Sequence, residues 1–298
     1  MPRLHPDSAR LGRAGAPLSW IAVPPFWLSI AVLSVVQGAL VALVGDGRAV
    51  PGLEWVARRR SRLWAAIPPL SVIVFVFVAQ AAARASAKSL TYLALVAVPI
   101  LAALALGWLA HGARPLLSAI AVALFVLAWV DRSGLAGESA ALALSALSCM
   151  ALGTLFAVLT PARWLALGIV LMACADAALV VSELLQHPNE VLTAAHPAGG
   201  LPRLQAEIFG SAAMGYGDLF VAGIFGGMLA RNWGRELQLR AAILVVALAL
   251  VFDLLFFAVN VLPATVPVAL ALMILLVRRR AERPSSGHAQ VTTPGVVG

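Results

Sequence analysis

Apolar residues in this chain come in long runs, and the runs are separated by short stretches carrying arginine, proline or glycine. A helix needs about 20 apolar residues to cross a bilayer, with about 17–25 as the usual range. Nine runs fit: Trp20–Val44, Trp64–Ala83, Leu90–Ala110, Pro115–Val130, Ser139–Leu159, Trp164–Leu185, Ile208–Ala230, Ala241–Asn260 and Leu262–Val277. The fourth and ninth are short. Barrel strands would alternate with period two, and these runs do not, so helices remain the way to satisfy the backbone in lipid. The pattern predicts an all-α polytopic membrane protein with nine transmembrane helices over residues 20–277. An N-terminal tail, 1–19, precedes them and a C-terminal tail, 278–298, comes after. Pro284–Gly298 is rich in Ser, Pro, Gly and Thr with no apolar period, which predicts disorder. The first run is too long for a signal-peptide core and is followed by basic residues, so it is expected to stay uncleaved.

Composition sharpens this picture. The 298 residues are 62% hydrophobic and 11% charged, where soluble domains carry about 25% charged residues. The net charge of +8 does not point to nucleic acid. The arginines cluster between apolar runs, where they set topology, and Arg58-Arg59-Arg60 reads as a membrane flank. With the N-terminus outside, seven of the 21 Lys and Arg lie outside: Arg3, Arg10, Arg13, Arg84, Lys88, Arg132 and Arg203. The other fourteen lie inside, so the expected orientation is N-terminus out and C-terminus cytoplasmic. Trp20, Trp27, Trp55, Trp64 and Trp164 fall near run ends, as an aromatic belt predicts. The expected surroundings are the lipid bilayer, with no nucleic acid. Oligomeric state is not readable from the chain.

Few residues remain for chemistry. Cys149 and Cys174 lie within apolar runs and read as small packing residues, not as a disulfide or metal site. There is no HExxH zinc motif and no GxSxG elbow. No metal or cofactor is expected, and His187 and His196 are not read as ligands. The residue that stands out is Asp218, within Gly215-Tyr216-Gly217-Asp218 of the seventh run. An ionised Asp at a bilayer centre costs at least about 2.5–3.5 kcal/mol and marks a functional site by default. Asp176 lies in the sixth run, among Ala173, Ala175, Ala177 and Ala178. Counted from the expected outer ends of consecutive antiparallel helices, both carboxylates sit about 15 Å deep. Small residues around each, including Gly210, Ala213 and Gly223, permit close helix approach.

Two carboxyls sharing a site hold one proton between them. The ionised one can take a proton from water while the other hydrogen-bonds a scissile carbonyl. The glycines would loosen the helix and admit an extended substrate backbone. The last run opens with Pro263-Ala264-Thr265-Val266-Pro267 on the expected outer side. Pro263 is expected in the first turn of that helix and Pro267 to bend its start. Asp253 in the eighth run reads as structural, bonded to a donor not evident from sequence, and Glu183 as reaching the interface.

These features together resemble the presenilin and signal peptide peptidase family of intramembrane aspartyl proteases. The likeness rests on nine helices, Asp176 in the sixth, Gly215-Tyr216-Gly217-Asp218 as GxGD in the seventh, and Pro263-Ala264-Thr265 at the place of a PAL motif. Asp218-Leu219-Phe220-Val221-Ala222-Gly223-Ile224-Phe225 is similar to the stretch that begins at the GxGD aspartate in signal peptide peptidases. The resemblance implies a presenilin-like bundle. It also implies hydrolysis of peptide bonds in transmembrane segments or signal peptides, with Asp176 and Asp218 catalytic. Gly215, Tyr216, Gly217, Pro263, Ala264 and Thr265 would then bind substrate. The chain departs from the family at Ala175, where Tyr is usual, and at Thr265, where Leu is.

Two alternatives stand beside this. Prepilin peptidases also use GxGD, and Met214–Asp218 is similar to theirs. Phe220, however, stands where they usually have Lys, and they have nothing like the Pro263 segment. A proton-coupled transporter would use Asp176, Asp218 and Asp253 as a relay and would show inverted repeats.

Overall fold

A computed structural model describes residues 24–48, 50, 53–132, 134–182, 200–259 and 261–281. The N-terminal tail, Glu183, His187, His196 and residues 282–298 lie outside the described residues. The chain is mostly helical. In order come α1 (Phe26–Leu43), α2 (Leu53–Ala57), α3 (Ile67–Leu104), α4 (Ser118–Val130), α5 (Leu135–Leu159) and α6 (Ala162–Val181). A hairpin of β1 (Glu207–Phe209) and β2 (Ala212–Met214) comes next, then α7 (Tyr216–Asn232), α8 (Arg235–Asp253) and α9 (Val266–Ala281). Among the described residues, five stretches are long and apolar enough to cross a membrane: Phe26–Leu43, Lys88–Leu109, Leu135–Leu159, Ala162–Val181 and Arg235–Phe257. Leu28, Leu93, Val122, Ile243 and Val251 face outward on these and neighbouring helices. Several long apolar helices with apolar outer faces mark a membrane protein.

Proline and glycine punctuate the helices. Pro25 and Pro161 cap α1 and α6, and Gly234, at φ 83°, makes the short turn between α7 and α8. A left-handed residue there suits glycine, which has no Cβ to clash.

α7 is the centre of the bundle. Leu219 and every residue from Val221 to Leu229 are buried, the pattern of a helix enclosed on all sides. Its glycines set how close the neighbours come. A Cβ on Gly223 would overlap the Cys149 carbonyl of α5, and one on Gly153 of α5 would overlap the backbone of Gly223. Gly227 faces the Gly153 carbonyl, and Gly226 faces Val41 of α1. Backbones at this range gain dispersion and exclude lipid.

The ends of the helices sort to two faces. At one, Arg48 donates to the Arg231 carbonyl, Arg231 to the Asp46 carbonyl and Arg235 to the Ala42 carbonyl. Arg60 donates to the Thr160 carbonyl, and Arg279 stacks over Trp233 at 4.6 Å. Val44 bridges Ala110 at this same end. Gln238, fully buried, ties α8 to the Val41 and Val44 carbonyls, each at 2.8 Å. The opposite face carries the hairpin.

Four expectations change. The second and third predicted spans are joined in one 38-residue helix, α3. No proline or glycine interrupts Arg84-Ala85-Ser86-Ala87-Lys88-Ser89, so nothing local stops the helix. The predicted seventh span begins as a hairpin instead of a helix, so the chain is not all-α: Gly210, at φ 57°, turns the strands and Gly215 is extended. Pro267, not Pro263, lies in the first turn of α9, since Pro263–Thr265 stay outside the helix. The helix also continues through Arg278–Ala281, expected as part of the tail, where three basic side chains complement its C-terminal dipole.

The α5–α7 contact generates a stability prediction. Gly223→Val forces side-chain atoms into the Cys149 carbonyl and should cost about 1–3 kcal/mol or more. The apparent Tm in detergent should fall clearly; an unchanged Tm would contradict this packing.

Candidate functional site

The site is built where the hairpin hands over to α7. The tip of the hairpin is pinned from two sides. The Gly210 N–H donates to Glu138 of α5 at 2.7 Å, and the Ser211 N–H to the Ser29 hydroxyl of α1 at 3.2 Å. Glu207 pairs with Met214 in the antiparallel register, so the chain reaches Gly215 with its direction already set. Gly215 is extended and α7 begins at Tyr216. Asp218 therefore sits in the first turn of α7, not at mid-helix as the apolar run implied. Its carboxylate accepts from the Gly215 N–H at 3.1 Å, satisfying a donor at the helix start.

Asp176 comes from α6 and is half-buried. Its Oδ2 accepts from the Thr265 hydroxyl at 2.7 Å, with the Thr265 N–H at 3.5 Å. Thr265 is buried. Its hydroxyl is the donor that satisfies the Asp176 carboxylate. Asp176 is thus tied to the Pro263–Thr265 segment, and among the described residues no direct hydrogen bond joins it to Asp218.

Gln37 of α1 joins the parts. Fully buried, its Nε2 donates to the Ala264 carbonyl at 2.9 Å and reaches the Asp218 carbonyl at 3.4 Å. The segment Pro263–Thr265 is thus tied to Asp176 through Thr265 and to Asp218 through Ala264 and Gln37. Three stretches far apart in the chain converge in one place.

The remaining predicted residues divide. Gly217 has open space where a Cβ would be, so a ligand backbone can approach it. Tyr216 turns away toward α5, where its hydroxyl bonds the Ser148 hydroxyl at 2.8 Å. That orientation makes it a brace for the turn more than a contact for substrate. Asp253 accepts from the Ser34 hydroxyl of α1 at 2.7 Å, the structural donor expected for it. Cys149 is buried and Cys174 exposed, both as free thiols.

Sequence reasoning missed Gln37, Ser34, Ser148 and Glu207. The first three carried a signal, being polar residues inside apolar runs. Glu207 stood at the edge of a loop and gave none. It is buried, and both carboxyl oxygens lack a hydrogen-bond partner. Burial pushes it up from an ordinary 4.5 to about 8, against a smaller opposing effect from the nearby Ser145 hydroxyl.

Comparison with family models, with characterised proteins and with solved structures finds no match.

Both the Thr265 contact and the buried Glu207 carboxyl can be tested in solution. Thr265→Val leaves Asp176 without its hydroxyl donor and should lower stability by about 1–3 kcal/mol, while Thr265→Ser keeps it; equal melting of the two variants would contradict the contact. Glu207 ionises in the unfolded chain above about pH 4.5 but in the folded protein only near 8. The folded state therefore binds more protons between these values, and stability falls across that window. Relative to Glu207→Gln, the wild type should be matched below pH 4.5, lose stability up to about pH 8 and hold a constant deficit beyond. Denaturation at stepped pH measures this, and parallel curves would contradict it.

Proposed function

We propose that this protein is an intramembrane aspartyl endopeptidase that hydrolyses peptide bonds in transmembrane segments or signal peptides of other proteins. The reading is carried by one observation: the Pro263–Thr265 segment is bonded to the Asp176 carboxylate through Thr265 and, through Ala264 and Gln37, to the Asp218 backbone, beside open space at Gly217. In the proposed reaction the pair holds one proton and a bound water. The water oxygen attacks the scissile carbonyl carbon, and its proton passes to the ionised carboxyl. The protonated carboxyl hydrogen-bonds the developing oxyanion. Collapse of the tetrahedral intermediate breaks the C–N bond, and a proton moves from the dyad to the leaving amine. The roles belong to the pair and are not divided between the two residues.

The arrangement around the pair supports an extended substrate. Gly217 leaves room for a backbone, and the β1–β2 hairpin beside it has no further strand on either edge among the described residues. A peptide strand satisfies its own polar groups on such an edge. No metal or cofactor takes part in this scheme.

The same reading takes the chain across the bilayer nine times, N-terminus out, with the arginine-bearing end cytoplasmic. Residues 67–104 supply two crossings. Their helix is about 57 Å long by helical rise, nearly twice the hydrocarbon thickness of about 30 Å. Both flanks lie at the arginine-bearing end: the Ser61 N–H donates to the Leu159 carbonyl, and Ala110 bridges Val44. Nine crossings therefore require the α3 helix to open near Arg84–Ser89 in the membrane, where the charged residues of the segment lie.

The decisive experiment is cleavage of a transmembrane peptide reporter by the reconstituted protein. Asp176→Asn and Asp218→Asn should each abolish cleavage by at least about 10³-fold, the scale on which a reaction loses a member of its catalytic unit, with melting temperatures unchanged. Retained cleavage in both variants ends the proposal. For topology, a cysteine at Ser86 should label from the side opposite to one at Gly112.

A further inference from the structure

We propose that Glu207 is a third carboxyl of this site, a positioning residue behind the Tyr216–Asp218 turn that, when ionised, holds the shared proton on the aspartate pair. The rate consequence rests on the protease reading; the geometry does not. Glu207 pairs with Met214, the second residue before Tyr216, so the hairpin register sets it beside the turn. It is 1% exposed, and neither carboxyl oxygen has a hydrogen-bond partner. Such a group is costly to bury unless it is neutral or used.

The surroundings are polar on one side only. The Ser148 hydroxyl bonds the Tyr216 hydroxyl at 2.8 Å and the Ser145 carbonyl at 2.8 Å. The Ser145 hydroxyl lies near the Glu207 carboxyl. Cys149, one residue beyond Ser148, approaches the Tyr216 carbonyl at 3.9 Å. Glu207 thus closes a small buried polar group formed by α5, the hairpin and the first residue of α7. That group lies directly behind the first turn of α7, which carries Asp218.

Among the described residues, the titratable groups around Glu207 are few. α7 presents Tyr216 and Asp218, with Asp176 of α6 beyond. α5 presents Cys149 and, at the far end of the hairpin, Glu138. α1 contributes none from Phe26 to Leu43, β2 none, and Arg203 precedes Glu207 by four residues on the same segment. Every titratable side chain facing it from α5 and α7 is neutral or acidic. An anion added here opposes loss of the last proton from a neighbouring carboxyl pair. Glu207 neutral leaves the dyad alone; Glu207 ionised keeps it singly protonated to higher pH, which is the working form.

The test uses the full chain in proteoliposomes with the peptide reporter. In Glu207→Gln the alkaline limb of the kcat/KM profile should move to lower pH by about half a unit or more, with KM unchanged. Coincident profiles would overturn the proposal. A second readout needs no turnover. The infrared band of the protonated carboxyl that disappears in Glu207→Gln should be present at neutral pH and titrate away above it. Asp218→Asn, which removes the neighbouring charge, should lower its midpoint. Absence of the band at neutral pH, or a midpoint indifferent to Asp218→Asn, would overturn the proposal. Because this coupling is read without catalysis, a protein that cleaves nothing would sink the protease reading and leave the coupling intact. Glu207→Met, which fills the same space without a polar atom, supplies the comparison if the Gln variant does not fold.

Discussion

Close backbone contact between α5 and α7 is the constraint on which the rest of the molecule depends. In lipid, apolar side chains gain little by leaving one apolar surrounding for another, so helices associate through dispersion at short range. Gly153, Gly223 and Gly227 provide that range. Once α7 is seated against α5, Gly226 brings α1 alongside, and Gln238 bonds α8 to the end of α1. Polar side chains then do at the opposite end what glycines do at the centre. Gln37, Ser34 and Thr265 each join two helices or a helix and a loop through one or two hydrogen bonds. Away from water such bonds have few competitors, and each lost partner leaves a buried polar atom stranded.

The candidate site is a product of those two layers. Asp218 owes its place to Gly215, which ends the hairpin, and to Tyr216, which is anchored on Ser148 of α5. Asp176 owes its orientation to Thr265, a residue of the last connecting segment. The two carboxyls are therefore held by opposite neighbours, one by the helix packed on its own element and the other by a segment nearly 90 residues away in sequence. Small movements of the Pro263–Thr265 segment would alter Asp176 before they altered Asp218.

Much of this was legible in the chain because the signals were local. Unbroken apolar runs marked the helices, arginine marked one end, and a lone Asp among glycines marked the site. Depth put Asp176 and Asp218 at one level and the Pro263 segment on the same side, while the direction each faces was not readable from the chain. The misreadings share one cause: hydropathy counts apolar residues and says nothing of the backbone. Ile208–Met214 is apolar enough to extend a helix, yet Gly210 and Gly215 make it a hairpin. Arg84 and Lys88 look like a loop by charge, yet their neighbours favour helix. Gln37 showed only as a polar residue in an apolar run, because its partners Ala264 and Asp218 lie far away in sequence, and Glu207 gave no signal because only the hairpin buries it.

The hairpin has a consequence for solvent. On the proposed hydrolytic reading, water supply is the first limit, and a continuous α7 would have sealed Asp218 among apolar side chains. Replacing the outer part of that span with two three-residue strands puts peptide groups where side chains would have been. Non-helical backbone survives at such depth only if protein or water satisfies it. On that reading, the unpaired strand edges beside Gly217 would be where water reaches the site before a peptide strand lies along them.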